Sequence, residues 1–282
     1  MLWKAKSFTF AFERPLIIGI LNLTPDSFFD GGRFLHPERA LEQACRLIQE
    51  GADLLDIGAE STRPGAKPVS TDEELNRLLP VLRGLRGKIQ VPISVDTTKA
   101  AVAREALEHG AEIINDVSGL REDPELARVA REFDAGLVLM HRRGTPETMQ
   151  LMTDYRDLME DISRELSQSI EIAESHGVLG EQIVIDPGIG FSKTAEQNLE
   201  VIERLGEFKK LGRPVLVGPS RKSFIGAITK QAPDKRLFGT AAASVLAYER
   251  GANLVRVHDV WAVKEALAVA QAILDSGKKV SL

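Results

Sequence analysis

The sequence has few cysteines, few aromatic residues and no uninterrupted apolar run near the length of a membrane span. Its single cysteine, Cys45, excludes an intrachain disulfide framework and favours a reducing compartment. The helical context ALEQACRL predicts that Cys45 is a small core residue. The N-terminal stretch MLWKAKSFTFAFERP is interrupted by Glu13 and Arg14, which argues against a signal peptide. We therefore expect a cytoplasmic protein with no membrane partner.

Long basic runs are absent as well. The formal net charge is -5 and no run of five or more basic residues occurs, so we expect no nucleic-acid partner. The hydrophobic content of 43% is typical of a soluble globular core. Because no Pro-, Gly- or Ser-rich linker and no change in composition divides the chain, we predict one domain over residues 1–282.

The apolar residues fall in eight short runs, namely PLIIGILN, ADLLDIGAE, VPISVDT, AEIINDVSG, GLVLMH, QIVIDPG, RPVLVGPS and NLVRVHDV. Amphipathic stretches with helical spacing lie between them, including PERALEQACRLIQEG, TDEELNRLLPVLRGL, TKAAVAREALEHG and EQNLEVIERLGEFKKLG. Ser70 or Thr71 ahead of two glutamates is a helix-start signal. Continuous aliphatic runs that alternate with helices are typical of parallel strands buried on both faces.

Eight such units predict an α/β fold of the (β/α)8 TIM-barrel type. An open, doubly wound sheet has the same alternation, but the count of eight and the lack of GxGxxG after the first strand favour the barrel. The segment KSFTFAF alternates in polarity and predicts a short N-terminal β-ribbon that closes the bottom of the barrel.

Polar side chains stand at the ends of most of the predicted strands. The carboxyl ends of barrel strands share one rim, so we expect these residues to meet at a single mouth. They are Asn22, Asp96, Asn115, Asp116, His141, Asp186, Arg256 and His258. Each Asp or Asn alone is more often a turn or cap residue. As a ring, with Arg and His on the last strand, the set indicates a ligand site.

Spacing on the last strand indicates an anion site. In RVH, Arg256 and His258 are two residues apart and therefore lie on the same side of the strand. An Arg fork with an imidazole suits an anionic leaving group. Asn22, on the neighbouring first strand, could offer a neutral oxygen to Mg²⁺ shared with phosphate oxygens.

A second polar set is predicted deeper in the mouth. It contains Asp96, Asn115 and Asp186, beside the apolar Val117 and Met140. A buried carboxylate requires donors, and a flat heterocycle with an amino group next to a ring N–H supplies two in parallel. A pterin or purine edge would fit this set. The alternative is a structural ion pair with a nearby Lys or Arg.

Three loops carry further polar or aromatic residues. LNLTPDSFFDGG has two aromatic rings on an acidic loop, which exceeds what a plain strand-to-helix connection needs. STRPGAKPVST contains Arg63, and GPSRKSFIG contains Arg221 and Lys222. A solvated loop remains the alternative for the last two.

In this order, NLTPDSFFDGG, GAESTRPG, SVDTTK, INDVSG, MHRRGTPETMQ, IDPGIGFSK, GPSRKSFIG and RVHDV resemble the motifs of the dihydropteroate synthase family, the sulfonamide target of folate synthesis. The resemblance extends from about Ile18 to Asp259. Phe29 and Arg142 are small departures from the pattern. The resemblance implies a transferase, a homodimer, and condensation of 6-hydroxymethyl-7,8-dihydropterin pyrophosphate with p-aminobenzoate. The implied products are 7,8-dihydropteroate and pyrophosphate.

The resemblance also implies roles for individual residues. Mg²⁺ and pyrophosphate would be held by Asn22, Arg63, Arg256 and His258, with the metal on Asn22. The pterin would be held by Asp96, Asn115, Asp186 and Lys222 beside Val117 and Met140. The p-aminobenzoate pocket would be bordered by Phe28, Thr62, Pro64, Phe191 and Ser223, with Asp30 ordering the first loop. The implied catalytic residues are Asp30, Arg63, Asp96, Lys222, Arg256 and His258.

The implied reaction is SN1-like. Loss of pyrophosphate leaves a methylene cation delocalised into the pterin, and the arylamine attacks it without a strong general base. Two alternatives stay open at this point. A methyltetrahydrofolate:corrinoid methyltransferase shares a pterin-holding barrel but has no use for the Arg256–His258 pair. A non-catalytic pterin-binding homologue is the other alternative, and an activity assay would decide.

Overall fold

The structure of the chain, a computed structural model, describes residues 1–24 and 37–279. In this part of the chain, two strands form an N-terminal ribbon, β1 (Leu2–Ala5) and β2 (Phe8–Ala11). Eight parallel strands form the main sheet: β3 (Leu16–Asn22), β4 (Leu54–Gly58), β5 (Ile93–Asp96), β6 (Ile113–Asp116), β7 (Gly136–Met140), β8 (Ile183–Asp186), β9 (Leu216–Val217) and β10 (Leu254–Val257).

The main sheet closes into a barrel. Its strand order is β8-β7-β6-β5-β4-β3-β10-β9, and a parallel bridge between Ile185 and Val215 joins the two ends. Each barrel strand coincides with one of the eight apolar runs. The predicted (β/α)8 barrel is therefore confirmed.

The helices between the strands surround the barrel. They are α1 (Pro37–Gln49), α2 (Thr71–Leu85), α3 (Ala100–Glu108), α4 (Glu125–Glu132), α5 (Leu158–Ser175), α6 (Ala195–Glu203), α7 (Ser223–Thr229), α8 (Leu237–Glu249) and α9 (Val260–Lys279). Ser70 caps α2 by accepting a hydrogen bond from the backbone N–H of Glu73 at 3.2 Å, as the sequence predicted. None of the described helices is long and apolar enough to span a membrane.

Two local predictions were wrong. Cys45 lies on the exposed side of α1, whereas the buried side carries Ala40, Ala44 and Leu47. The stretch EQNLEVIERLGEFKKLG is not one helix, because α6 ends at Glu203 and a 3-10 helix, Leu205–Leu211, follows. Glycine at 206 is a poor α-helix former and falls at this change of geometry.

The amino ends of the barrel strands form an apolar plug. Trp3 of the ribbon is fully buried there, and its indole N–H donates to the carbonyl of Gln182 at 2.9 Å. The side chains packed with it point into the barrel and are Leu16, Ile18, Leu54, Ile113, Val138, Val184, Leu216 and Leu254. The ribbon closes the bottom of the barrel, as predicted.

Side-chain alternation separates the polar strand ends into two groups. Inward positions at the carboxyl ends place Asp96, Asn115 and Asp186 in the mouth, together with Arg256 of β10. Asp116 and His141 point to the opposite side of their strands: Asp116 accepts from the backbone N–H groups of Ser118 and Leu120, and His141 contacts Glu165 of α5. The prediction that these two residues converge on the mouth was therefore wrong.

Candidate active site

The centre of the mouth is a guanidinium held by two carboxylates. Nε of Arg256 donates to Oδ2 of Asp56 at 2.5 Å, and Nη2 donates to Oδ2 of Asp96 at 2.9 Å. The amide of Asn115 also donates to Asp56 Oδ2, at 3.1 Å. Burial raises the pKa of Asp96, and the negative charge of Asp56 adds to this rise while Arg256 opposes it. These contacts join β4, β5, β6 and β10 at one level of the barrel interior.

Asp56 is a residue of this group that the sequence analysis missed. It is the third residue of β4, and its side chain is almost fully buried. Its other oxygen, Oδ1, is buried without a hydrogen-bond partner among the described residues. The available signal was an acid inside the apolar run ADLLDIGAE, two residues before the inward-facing end of the strand.

Asp186 provides a second carboxylate at the end of β8. Its Oδ1 accepts from the backbone N–H of Gly188 at 2.7 Å, while its carbonyl accepts from the N–H of His141 at 2.8 Å. Burial raises the pKa of Asp186 to about 6, although the Gly188 hydrogen bond and the charge of Lys222 act against this rise. The carboxylate therefore faces the mouth as an acceptor.

Lys222 and Phe191 form the next part of the wall. Nζ of Lys222 lies 4.0 Å from the centre of the Phe191 ring. Burial, followed by repulsion from Arg256, lowers the pKa of Lys222 to about 8. Gly190 permits this approach, because a Cβ at that position would come within 2.8 Å of Lys222 Cδ.

An apolar surface borders these polar groups. The predicted wall residues Val117 and Met140 form one buried cluster with Phe191 and with Met149 of the β7–α5 loop. Val117, Met140 and Phe191 are each less than a tenth exposed. Opposed polar and apolar sides of this kind suit a flat ring with donors on its edge.

The anion side of the mouth carries Arg256 and His258. His258 shares a hydrogen bond with Ser220 Oγ at 2.9 Å, and burial next to Arg256 and Arg221 lowers its pKa to about 3. The predicted anion site is thus one guanidinium beside a neutral imidazole. Arg221 forms a two-point ion pair with Asp259, at 3.0 and 2.6 Å, and has a structural role.

Asn22 ends β3 on the same rim. A Cβ on neighbouring Gly58 would lie 3.7 Å from Asn22 Oδ1 and 3.4 Å from Asp96 Cβ, so the glycine leaves space between the two polar side chains. Within residues 1–24 and 37–279, no group of three or more His, Cys, Asp or Glu side chains could hold a metal. A cation at Asn22 would depend on ligand oxygens for most of its coordination.

The β4–α2 loop extends over the mouth. Thr62 is half-buried, Arg63 and Pro64 are exposed, and the N–H of Gly65 donates to the carbonyl of Pro146 at 2.9 Å. A cavity of about 210 Å³ lies beneath this loop; its lining includes Thr62, Asp96, Val117, Arg142 and Pro146.

The remaining predicted residues are more dispersed. Ser223 is exposed at the first turn of α7. Arg142 is buried and paired with Glu122, which accounts for an arginine at this point of the MHRRGTP loop. Phe28 and Asp30 lie within residues 25–36, which are outside the described residues.

The fold and the mouth together define a barrel enzyme whose site fits a flat, donor-bearing heterocycle beside an anionic group. The sequence pattern of the pterin binding enzyme family matches residues 18–258. The chain belongs to this family.

Known relatives match this chain over nearly its whole length. Dihydropteroate synthase of Synechocystis sp. is 50% identical over 262 residues, covering 93% of this chain and 91% of the relative. A dihydropteroate synthase structure from Clostridium difficile, determined in the presence of pteroic acid, has a TM-score of 0.88 at 47% identity and covers 93% of this chain and 97% of its own. The Yersinia pestis enzyme with a sulfonamide drug has a TM-score of 0.91 at 40% identity, with coverages of 98% and 100%.

Proposed function

We propose that the chain condenses 6-hydroxymethyl-7,8-dihydropterin pyrophosphate with p-aminobenzoate to give 7,8-dihydropteroate and pyrophosphate. This is the dihydropteroate synthase reaction of folate biosynthesis, and the enzyme is a transferase. The observation that carries the proposal is the set of inward carboxylates and amide beside Arg256. The whole chain would act as one pterin-binding barrel domain. Its single cysteine suits the reducing cytoplasm.

The pterin ring would lie between the acceptors and the apolar wall. Asp186 would accept from the 2-amino group and the adjacent ring N–H, and Asn115 and Asp96 would bind the other edge. Lys222 would donate to the ring carbonyl. The burial of these groups supports this arrangement. A buried carboxylate without a donor loses the hydrogen bonds that water would give it, and a parallel pair of donors on the ring replaces them.

The pyrophosphate would bind to Arg256 and His258, with Arg63 reaching it from the β4–α2 loop. The neutral imidazole of His258 can donate a hydrogen bond, and the guanidinium of Arg256 supplies the charge. Mg²⁺ bound between Asn22 and the phosphate oxygens would neutralise charge on the departing group. The amide beside Gly58 fits a hard cation that takes few protein ligands.

The p-aminobenzoate would enter between Phe191, Ser223 and the residues Thr62 and Pro64 of the β4–α2 loop. After pyrophosphate leaves in an SN1-like step, the arylamine lone pair attacks the pterin methylene cation, and the new C–N bond leaves a protonated nitrogen that loses its proton to solvent or to the pyrophosphate. Aniline-type nitrogen is unprotonated at neutral pH, so no strong base is assigned. Exclusion of water by the loops would protect the cation from hydrolysis.

The test is formation of 7,8-dihydropteroate from the two substrates in the presence of Mg²⁺, detected by mass spectrometry. We expect product with the wild type and a higher Mg²⁺ requirement for Asn22→Ala. A folded wild-type protein that binds pteroic acid yet forms no product would show a non-catalytic pterin-binding homologue instead.

A second copy of the chain is the proposed partner. An apolar cleft of about 570 Å³ runs between α6, α7 and α8, and around it Phe238, Ile228 and Leu246 are 85%, 60% and 45% exposed. Such a continuous apolar surface is typical of a protein interface. We expect a dimer by light scattering for the wild type and for Leu179→Asp, an exposed leucine elsewhere, but a monomer for Leu246→Asp.

A further inference from the structure

The segment from Asp186 to Lys193 carries two residues of the mouth on an unusual backbone. Three of its residues, Gly188, Gly190 and Ser192, have φ values of 72°, 86° and 46°, in the left-handed region. Ser192 is not a glycine, so its conformation is strained. A segment with this shape must be held by its surroundings if Asp186 and Phe191 are to keep fixed positions.

Lys193 lies behind this segment, on the side away from the mouth. It is 3% exposed. Its ammonium donates to the carbonyl of Gly188 at 3.1 Å, to the carbonyl of Phe191 at 3.2 Å and to Nδ1 of His141 at 3.1 Å. All three protons of the ammonium are therefore used, and two of them hold the strained segment.

His141 orients this lysine. Its Nε2 lies 3.1 Å from Oε2 of Glu165 on α5, and a carboxylate can only accept, so Nε2 carries the proton and Nδ1 accepts from Lys193. Burial, with the charge of Lys193, lowers the pKa of His141 to about 3, which keeps the ring neutral. Hydrogen bonds from His141 and Arg143 outweigh the burial of Glu165 and lower its pKa.

Two further contacts reach the same segment. The hydroxyl of Tyr155 donates to the carbonyl of Ser192 at 2.9 Å, and the backbone N–H of Arg143 donates to Ser192 Oγ at 3.0 Å. His141 also approaches Gly188 so closely that a Cβ there would lie 2.0 Å from the His141 carbonyl oxygen. The outward-facing polar residues thus form a support for the inward-facing ones.

We propose that Lys193, oriented by His141 and Glu165, is a positioning residue that sets Phe191 and Asp186 in place for the two substrates. Through the Phe191 carbonyl it fixes the ring that borders the p-aminobenzoate pocket and contacts Lys222. Through the Gly188 carbonyl it fixes the turn whose N–H holds Asp186. The assignment of the second substrate rests on the proposed function, whereas the effect on pterin affinity does not.

The chain contains a matched control for this role. Lys6 is half-buried, less so than Lys193, and donates to two backbone carbonyls, of Leu107 at 2.9 Å and Ala111 at 2.8 Å, but it lies at the ribbon end of the barrel. Lys6→Met and Lys193→Met each remove an ammonium that donates to two backbone carbonyls, one at the ribbon end of the barrel and one at the mouth end. A merely structural lysine would lower thermal stability without altering the site.

The experiment measures Tm, the Kd for pteroic acid by calorimetry, and KM for p-aminobenzoate in both variants. For Lys193→Met we expect Kd and KM to rise by about tenfold, with a smaller change in kcat, because a displaced wall loses ligand contacts. Lys6→Met should lower Tm and leave Kd and KM unchanged. Wild-type Kd and KM in a folded Lys193→Met variant would overturn the proposal.

A milder variant covers the case in which Lys193→Met does not fold. Tyr155→Phe removes one donor to Ser192 at nearly constant volume, and we expect Kd and KM to rise by about twofold to threefold, in the same direction. Unchanged values in Tyr155→Phe would then overturn the proposal. If the wild type binds pteroic acid but makes no product, the proposed function fails, and the Kd comparison still decides the role of Lys193.

Discussion

The two ends of the barrel use the same strands in opposite ways. At the amino ends, inward side chains are aliphatic and pack around Trp3. At the carboxyl ends, the next inward positions of β4 and β10 carry Asp56 and Arg256, which contact each other, and Arg256 also contacts Asp96 of β5. The plug gains stability from apolar burial, whereas the mouth keeps buried charges whose desolvation opposes folding.

This difference separates stability from function within one fold. Arg256 compensates for two carboxylates, but Asp56 Oδ1 is buried without a hydrogen-bond partner among the described residues, and Asp186 is held by one backbone N–H. A site built only for stability would not bury so many acceptors. We therefore predict that changes at the bottom of the barrel alter folding and that changes at the mouth alter ligand binding.

Trp3→Ala is expected to have the largest effect. Loss of a fully buried indole should lower the free energy of unfolding by about 3–5 kcal/mol, measured by urea denaturation. The Kd for pteroic acid of the remaining folded protein should match the wild type. A raised Kd with unchanged stability would contradict the assignment of stability to the bottom of the barrel and of ligand binding to the mouth.

Arg256→Ala should raise the free energy of the transition state by about 1.5–3 kcal/mol, because it removes a charge-assisted contact to pyrophosphate. The measurement is the corresponding fall in kcat/KM. It also leaves the carboxylates of Asp56 and Asp96 without their shared partner. Arg256→Lys keeps the charge but loses the fork, so it should recover only part of the activity. Unchanged kcat/KM in Arg256→Ala would remove this residue from the anion site.

Asp186→Asn should weaken pterin binding by about tenfold or more, since one acceptor becomes a donor facing the donors of the ring. The matched control is Asp116→Asn. Asp116 is equally buried at the same end of the barrel, and burial raises its pKa to about 6, but it faces outward and accepts from the N–H groups of Ser118 and Leu120. The control should lose stability and keep the wild-type Kd for pteroic acid.

The pH dependence of binding should follow Asp186. Its folded-state pKa is raised to about 6, so the carboxylate becomes protonated below this pH and loses its acceptor function. Pterin affinity should therefore fall by up to about tenfold per pH unit below pH 6. Calorimetry from pH 5 to 8 would measure this slope, which should be shallower in Asp186→Asn, because Asp96 with its raised pKa still titrates there.

The same shift has a smaller effect on stability. Between the unfolded pKa near 4 and the folded value of about 6, the folded chain binds more protons at Asp186 than the unfolded chain does. The contribution of Asp186 to stability is therefore greatest at low pH and declines as the pH rises to about 6. Asp186→Asn should flatten this part of the unfolding curve, and an unchanged curve would contradict the raised pKa.

The sequence predicted the barrel because each strand lies in a short, mainly aliphatic run, and amphipathic stretches lie between these runs. It also predicted the inward residues Asp96, Asn115 and Asp186, which end their runs. The side of the strand that each residue faces was harder to predict. Asp116 and His141 also stand at strand ends, and only the strand register reveals that they face outward.

Two residues escaped prediction for different reasons. Asp56 lies inside an apolar run, so it does not mark a strand end. Lys193 is oriented by His141, which is 52 residues away along the chain. Contacts of this kind depend on how β7, β8 and α5 pack together, and no local pattern indicates them.

The most direct test of the account is pyrophosphate release from 6-hydroxymethyl-7,8-dihydropterin pyrophosphate with and without p-aminobenzoate, measured alongside 7,8-dihydropteroate. We predict that p-aminobenzoate gives dihydropteroate and pyrophosphate in equal amounts. A folded, pterin-binding protein that releases no pyrophosphate under either condition would contradict the assignment of the mouth as a dihydropteroate synthase site.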